Sequence, residues 1–195
     1  MKDELKEILD LYNSERGRRP MFQTEAMELC RQAYESNDAE RIEWIRNIGK
    51  DASHRLSNIA NHIAGNRFGF NITEVNESGW LMNPEFLDVE EIAFRVNDDH
   101  YSYNYITIGR GPNHKWCYAI HMSYSRGGSS YGLTVFNSVC KDRENAIVRA
   151  TAELKYVIQR TIDSVHPTES EHKYLERVNR RIAQYELSRR QLSLF

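Results

Sequence analysis

The sequence predicts an α+β fold, with an N-terminal helical segment, a three- to four-stranded antiparallel sheet packed on a helix, and a long basic C-terminal helix. Three observations predict this class. Apolar residues recur at three- and four-residue steps in the first third of the chain, alternate at every second residue in the middle, and return to the helical spacing in the last third. The 195 residues are 40% apolar and 28% charged, which is the composition of an ordinary globular protein.

The first third contains three stretches that each have one apolar face. Thr24 is a residue type that caps helix starts, and Gly65 suits the end of the last stretch. Gly49, followed by a lysine and an aspartate, is a point at which the last stretch can divide in two. The predicted helices cover residues 5–12, 24–34 and 42–63.

The segment after this helical region is acidic and rich in loop-forming residues. Between residues 71 and 100 there are eight acidic residues and a single cation, Arg95. We expect a short strand at 68–73, then a loop, and a second strand at 91–96. The predicted domains are a helical segment at 1–65 and a sheet with two C-terminal helices at 66–195, and the length also suits a single domain.

An antiparallel meander is predicted next. Tyr101, Tyr103 and Tyr105 share one face of its first strand, while the isoleucines that follow them, Ile106 and Ile108, point to the other face. The glycine- and serine-rich stretch 125–130 is predicted to be a flexible connection. The strands of the meander are predicted over residues 101–108, 115–124 and 131–137.

Two helices are predicted in the last third. The first covers residues 143–163, carries an apolar face for the sheet, and ends at a His-Pro pair. Thr168 and Glu171 form a capping-box pattern that starts the second helix. On this last helix a basic ridge lies opposite to the apolar stripe and consists of Lys173, Arg177 and Arg180.

The composition also argues against several classes of protein. No apolar run approaches the roughly 20 residues of a membrane helix, and the N-terminus has no signal-peptide pattern, so we expect a cytoplasmic protein without membrane contact. Three widely spaced cysteines, Cys30, Cys117 and Cys140, suggest neither a disulfide framework nor a zinc site. Because the sequence has no nucleophile elbow, phosphate loop or dinucleotide motif, it predicts no catalytic residue, no metal and no cofactor.

The charges are distributed unevenly along the chain. Residues 1–100 contain 12 Lys and Arg against 20 Asp and Glu, which gives a net charge of −8. Residues 101–195 contain 14 against 8, which gives +6. Such asymmetry indicates either an acidic or basic surface for a partner, or two halves that neutralise each other within the fold.

The tyrosines and cations of the second half lead to the first functional hypothesis, a non-enzymatic binding module that contacts nucleic acid. Aromatic rings on a sheet can stack on bases while nearby cations meet phosphates. The same tyrosines are also a residue type that favours packed strands. The candidate contact residues are Tyr101, Tyr103, Tyr105, Arg110, His114, Lys115, Arg126, Lys173, Arg177 and Arg180.

The stretch GPNHKWCY at residues 111–118 carries a resemblance to a known family. It resembles the GPxHxxxF segment between the first two strands of double-stranded RNA-binding domains, and over residues 101–155 the predicted element order is similar. The resemblance implies that His114 lies in a minor-groove loop and that residues 141–149 contact phosphates. The basic KKxAK run of that family has no counterpart here. The stretch is also similar to uncharacterised proteins of gut bacteria and their mobile elements, which implies no activity.

A second hypothesis gives the acidic stretch 71–100 the main role. In this interpretation the chain is a protein–protein adaptor, or an inhibitor from a mobile element or phage, whose acidic side chains meet a basic partner or imitate a nucleic acid. Asp88, Glu90 and Glu91 are its candidate contact residues. The apolar end of the last helix, at residues 192–195, could in addition join two copies of the chain into a homodimer.

An uncharacterised enzyme is the third hypothesis. Histidine titrates near neutral pH and is the commonest general acid or base. His114, His121 and the Asp99–His100 pair are the candidates for that role, although the sequence gives none of them a fixed partner.

Overall fold

The structure is a computed structural model that describes residues 6, 8, 21–96, 103–165 and 167–192. The chain divides into two compact units, residues 1–85 and residues 86–195. We call them the helical unit and the sheet unit. Residues 66–85, which the sequence analysis placed with the sheet, group with the helices instead.

The described part of the helical unit includes three helices: α1 (Met21–Ser36), α2 (Ala39–Asn47) and α3 (Ala52–Asn66). Asn37 ends α1 with a left-handed φ of 52°, a conformation that asparagine tolerates better than most residues. Asp38 caps α2 and Asp51 caps α3, each by accepting a backbone N–H three residues ahead. The predicted division at Gly49 is therefore confirmed. Of the helix predicted at 5–12, only residues 6 and 8 lie among the described residues, and both are helical.

Three predictions for this unit are wrong in detail. Residues 21–24 already belong to α1, so Thr24 is not its N-cap. Gly65 lies inside α3 rather than after it, and its role is close packing, because a Cβ there would come within 2.7 Å of the Ile72 side chain. Residues 68–73 form no strand, since the N–H groups of Phe68 and Phe70 both turn back to the Gly65 carbonyl.

The sheet unit contains four antiparallel strands in sequence order: β1 (Leu87–Ala93), β2 (Tyr105–Arg110), β3 (Trp116–Tyr124) and β4 (Gly127–Ser130). The register places Ile106 opposite Ile120 and Tyr105 opposite His121. Beyond the tight β3–β4 turn, His121 is paired with Ser130. Residues 97–102, which include Tyr101 and the Asp99–His100 pair, lie outside the described residues.

The predicted strand at 131–137 is wrong, because the fourth strand is formed by the stretch that was expected to be a flexible connection. Glycine explains why this stretch can pair so closely. A Cβ at Gly128 would lie 2.5 Å from the backbone oxygen of Met122, so only glycine fits there. The strand predicted at 91–96, within the acidic stretch, also shifts and is observed at 87–93.

Two helices follow the sheet, α4 (Arg143–Val165) and α5 (Glu169–Leu192). Helix α4 packs on β2 and β3, and α5 packs on α4. The capping box is present as predicted, with Thr168 and Glu171 hydrogen-bonded to each other through backbone and side chain. The core between sheet and helices includes Ile106, Ile108, Ile120, Leu154, Ile158, Val178 and Ile182.

The predicted fold class is confirmed: N-terminal helices, a four-stranded antiparallel sheet packed on a helix, and a C-terminal helix. None of the helices within the described ranges combines the length and apolar composition that crossing a membrane would require.

Candidate nucleic-acid interface

The alternation along β2 and β3 separates their side chains between the two faces of the sheet. Even-numbered residues such as Ile106, Ile108 and Ile120 face the helices and are fully buried. Odd-numbered residues point to the opposite face, where Tyr105 and His121 are half-buried and Cys117 and Ala119 are buried. The predicted alternation of these strands is thus confirmed, and it divides the tyrosines, because Tyr118 and Tyr124 belong to the core.

A row of aromatic rings lies on the face of the sheet that turns away from α4. The ring of Tyr105 stacks on the ring of His121 in the next strand, with centroids 4.6 Å apart and planes within 9° of parallel. The ring of Tyr103, two residues earlier in the chain, also contacts Tyr105, with centroids 4.8 Å apart and a tilted orientation. The Arg95 guanidinium lies 4.9 Å from the Tyr103 ring centre and completes the row. We call Tyr103, Tyr105 and His121 the aromatic face.

Buried hydrogen bonds hold this face in place. Asn104 is fully buried, and its amide donates to the Tyr174 hydroxyl of α5 at 2.7 Å and to the Ser123 carbonyl at 3.2 Å. Its amide oxygen accepts from the Ser123 N–H, so the side chain bridges the strands as a backbone group would. The Ser123 hydroxyl in turn donates to the Tyr103 carbonyl and accepts its N–H. Tyr103 therefore has a fixed position although it precedes β2.

The outer side of the aromatic face is bordered by small residues. Ser130 is the partner of His121 in β4, and Gly128 is the partner of Ser123. All four residues of β4 are exposed. The side of His121 that faces away from Tyr105 therefore borders a strand with almost no side-chain bulk, which leaves room for a planar group.

Local charge on this face is balanced rather than basic. Glu91 of β1 accepts a hydrogen bond from the Tyr103 hydroxyl, and Arg95 lies over the same ring. A carboxylate next to a guanidinium reduces the attraction for phosphate. This face is therefore better suited to a base than to the nucleic-acid backbone.

The three candidates from the β2–β3 turn lie at the other end of the hairpin. Arg110 is five residues from Tyr105 along β2, which corresponds to about 17 Å. Its guanidinium is 2.6 Å from Asp88 and donates to His114 Nδ1 at 3.1 Å. His114 has a left-handed φ of 65°, and Lys115 is exposed. The structure does not bring this group together with the tyrosines.

Arg126 occupies the β3–β4 turn, at the same end of the sheet as Tyr103. Its guanidinium forms two hydrogen bonds to Glu171, at 2.6 and 2.8 Å. The Glu171 side chain is only 6% exposed and also accepts from Ser125 and Thr168. These donors, Arg126 first among them, hold the pKa of the Glu171 carboxyl well below its usual range. Arg126 thus secures the start of α5, and 60% of its side chain remains exposed.

The basic ridge of α5 is present as predicted, but it is remote from the aromatic face. Val178 and Ile182 of α5 are fully buried in the core on the helix side of the sheet, while Lys173, Arg177 and Arg180 are exposed on the outer side of α5. Lys173 is paired with Glu169, whereas Arg177 has no ion pair with any carboxylate that the structure describes. The ridge and the aromatic rings therefore lie on opposite sides of the sheet unit.

The acidic candidates on β1 are each engaged inside the sheet unit. Asp88 pairs with Arg110, Glu90 forms a bidentate pair with Arg143 at the start of α4, and Glu91 accepts from Tyr103. Since β1 belongs to this unit, its residues 86–195 contain 15 Lys and Arg and 13 Asp and Glu, a net charge of +2. Much of the charge asymmetry along the chain is therefore neutralised within one unit.

The groups considered for catalysis are not assembled into a reactive site among the described residues. His114 accepts a hydrogen bond from Arg110, and His121 stacks on Tyr105. Burial raises the pKa of the Cys117 thiol to about 12 and also raises that of Cys140. In the described part of the chain, no group of three His, Cys, Asp or Glu side chains has the geometry to hold a metal ion.

Two residues of this region were missed by the sequence analysis as parts of the interface. His121 was considered only as an acid or base, yet its odd number and its pairing with β2 put it on the tyrosine face. Asn104 stands between two tyrosines and gives no sequence signal for its buried bridging role, because that role depends on Tyr174, 70 residues later.

Comparisons with known proteins give no relative for this chain: no family model matches it, and neither does any curated protein or solved structure.

Proposed function

We propose that this chain is a non-enzymatic binding module that contacts single-stranded nucleic acid through its aromatic face. One observation carries the proposal: Tyr105 and His121 of neighbouring strands are stacked, and Tyr103 from the segment before β2 contacts Tyr105, on the side of the sheet that turns away from α4. Rings held in fixed positions on a sheet offer π-faces and edges on which unpaired bases stack.

The geometry favours an unpaired base over a duplex. Stacking requires a base that has left its own stack, which single strands and loops supply. The outer side of His121, next to Ser130 and Gly128, is the position at which the row of rings can be extended by one base. The opposite end of the row is covered by Arg95.

Phosphate contacts have a minor role in this proposal. Glu91 offsets Arg95, and the Arg126 guanidinium is shared with Glu171. A contact that neutralises only about one phosphate of a single strand gives a slope of about −0.7 in a plot of log affinity against log salt concentration. Binding should therefore be of moderate strength and weakly dependent on salt.

The experiment that tests the proposal is a fluorescence-anisotropy titration of the full chain with a labelled ten-nucleotide oligo(U), at two salt concentrations. Tyr105→Ala should weaken binding by about tenfold, because base–aromatic stacking contributes about 1–3 kcal/mol for each base. Tyr105→Phe keeps the ring and should bind as the parent does.

The matched control is Tyr156→Ala, which removes an equally large ring that is 65% exposed on α4, away from the aromatic face. It should leave the affinity unchanged. Absence of binding at low salt, or equal weakening by the two alanine variants, would contradict the proposal. A blunt RNA duplex is the second probe: tighter binding of the duplex, lost in His114→Ala, would replace stacking by the duplex-binding mode that the family resemblance implies.

A further inference from the structure

A cavity of about 490 Å³ lies among the three helices of the helical unit, and no candidate residue from the sequence belongs to it. Leu29 of α1 and Ile63 of α3 supply apolar lining, and Trp44 of α2 and His62 of α3 supply aromatic rings. Cavities of a few hundred cubic ångströms with apolar walls and a few polar groups are the usual form of small-molecule sites. The remaining lining residues are Asp38, Glu40, Arg41 and Asn66.

The two aromatic rings form a corner of this cavity. Their centroids are 5.1 Å apart, and their planes meet at 61°. His62 Nδ1 is 2.8 Å from the Ile72 carbonyl oxygen. Because a carbonyl only accepts, Nδ1 must carry the hydrogen, and in the neutral ring Nε2 is left with a lone pair. In that neutral form the ring offers an acceptor and not a second donor.

The charged groups of the lining favour a cation. Asp38 and Glu40 supply two carboxylates against one guanidinium, that of Arg41, so the lining has a formal charge of −1. The only ion pair of Arg41 with a described carboxylate is to Asp38, at 3.7 Å. Glu40 has no partner among the described side chains and is exposed at the first turn of α2. The Trp44 ring adds a π-face, which also attracts cations.

We propose that this cavity binds a small organic cation, in which an ammonium or guanidinium group is carried on an apolar or aromatic body. The charged group would meet Glu40 and Asp38, and the body would lie against Trp44, Leu29 and Ile63. Residues of three helices line this open pocket, and its volume suits a free small molecule, so we assign it to a free metabolite-sized amine and not to a lysine of a protein partner. This site is independent of the aromatic face.

The test is a calorimetric titration of the full chain with benzylammonium as the probe. We expect a dissociation constant of about 1 mM or tighter, which is ordinary for a ligand of this size. Benzyl alcohol and benzoate have the same ring without the positive charge and should not bind in the same range. Equal binding of all three, or no binding of benzylammonium at about 10 mM, would overturn the proposal.

Variants of the lining then locate the site. Asp38→Asn combined with Glu40→Gln removes both carboxylates while asparagine still caps the helix, and it should weaken benzylammonium binding by about fivefold or more. Glu43→Gln, on the same helix but outside the cavity lining, removes one charge and should have no effect. An unchanged affinity in the double variant would overturn the assignment, as would an equal loss in the control.

A blocked peptide distinguishes a free small amine from the lysine side chain of a protein as the ligand of this site. The tripeptide Gly-Lys-Gly, blocked at both ends, presents an ammonium group on a protein side chain. We expect it to bind at least tenfold more weakly than benzylammonium, because placing polar peptide groups against the apolar lining of Trp44 and Ile63 costs free energy that an aromatic ring does not. Tighter binding of the peptide would overturn the assignment to a free small molecule.

Discussion

The aromatic face and the basic ridge of α5 are built in different ways, although both are candidate contacts for nucleic acid in the sequence. The rings of the aromatic face contact one another and are anchored by the fully buried Asn104. The ridge consists of exposed side chains along one helix, with Arg177 unpaired to any described carboxylate. The aromatic face is therefore integrated in the sheet by buried contacts, whereas the side chains of the basic ridge make none of these buried contacts.

A sheet with helices on one side only places the two sets of candidate residues on opposite sides of the unit. Helix α5 contributes Val178 and Ile182 to the core and so lies on the same side of the sheet as α4. Its outer side must then point away from the sheet. A single short oligonucleotide cannot lie on both surfaces, and each surface needs its own test.

The largest expected effect comes from removing the anchor of the aromatic face. Asn104→Ala leaves the Ser123 N–H and carbonyl and the Tyr174 hydroxyl without this partner in a buried place. We expect a loss of about 3 kcal/mol in the free energy of unfolding, since unsatisfied buried polar groups are costly. Urea unfolding followed by circular dichroism measures it.

Arg180→Gln is the matched variant on the ridge and should change the free energy of unfolding by less than about 0.5 kcal/mol. If Asn104→Ala were no more destabilising than this variant, the aromatic face would not be an integral part of the sheet, and the contrast between the two surfaces would be lost.

Much of the fold could be predicted from the sequence because it depends on local patterns. The helical spacing, the Asp51 cap, the alternation in β2 and β3 and the capping box at Thr168 are all properties of neighbouring residues. The edge strand β4 was missed because its sequence, Gly-Gly-Ser-Ser, has no strand propensity. It pairs only because β3 offers a partner that a side chain at Gly128 would block.

The candidate interface was less predictable because it depends on pairs that are distant in the chain. The alternation of residues predicts that Tyr103 and Tyr105 share one face of the sheet. Placing His121 on the same face requires the pairing of β2 with β3, which the sequence does not give. The pairing of Glu90 with Arg143 joins residues 53 positions apart, so the sequence offered Glu90 as a free acidic contact. Charge counted along the chain could not reveal that these groups neutralise each other in space.

The second prediction concerns the start of α5, where the ridge begins. The folded-state pKa of Glu171 is lowered, so its carboxylate stabilises the fold above the unfolded-state pKa of about 4.3. That contribution is lost as the pH falls from there through the folded-state value. Glu171→Gln should therefore reduce stability at pH 7 and differ less and less from the parent below about pH 4, as measured by urea unfolding.

Glu169→Gln is the control for this pH dependence. Glu169 is on the same first turn, but its side chain is 83% exposed and pairs only with Lys173 among described cations. We expect a much smaller change at pH 7. A constant gap between Glu171→Gln and the parent from pH 7 to pH 3 would show that the carboxylate charge has no part in anchoring α5 to the β3–β4 turn.

A smaller effect is expected at the β2–β3 turn, the end of the hairpin opposite to the aromatic face. His114 has a φ of 65°, where a residue with a Cβ is strained. Both His114→Gly and His114→Ala lose the bond from Arg110, so comparing them isolates the backbone. Glycine should be the more stable by about 1 kcal/mol in thermal or urea unfolding. Equal stabilities would mean that the turn does not hold this conformation in solution.

The smallest expected effect is the most informative about the ridge. Arg177→Gln with Arg180→Gln removes two exposed cations and should leave both the stability and the affinity for oligo(U) nearly unchanged if binding occurs on the aromatic face. If the ridge itself contacts phosphates, the same variant should reduce the slope of log affinity against log salt by up to about 1.4 for a single strand. Tyr105→Ala should do the reverse, lowering affinity at every salt concentration without changing the slope, because stacking releases no counterions. The two variants together therefore assign any observed binding to one side of the sheet unit, since each surface contributes through a different physical interaction.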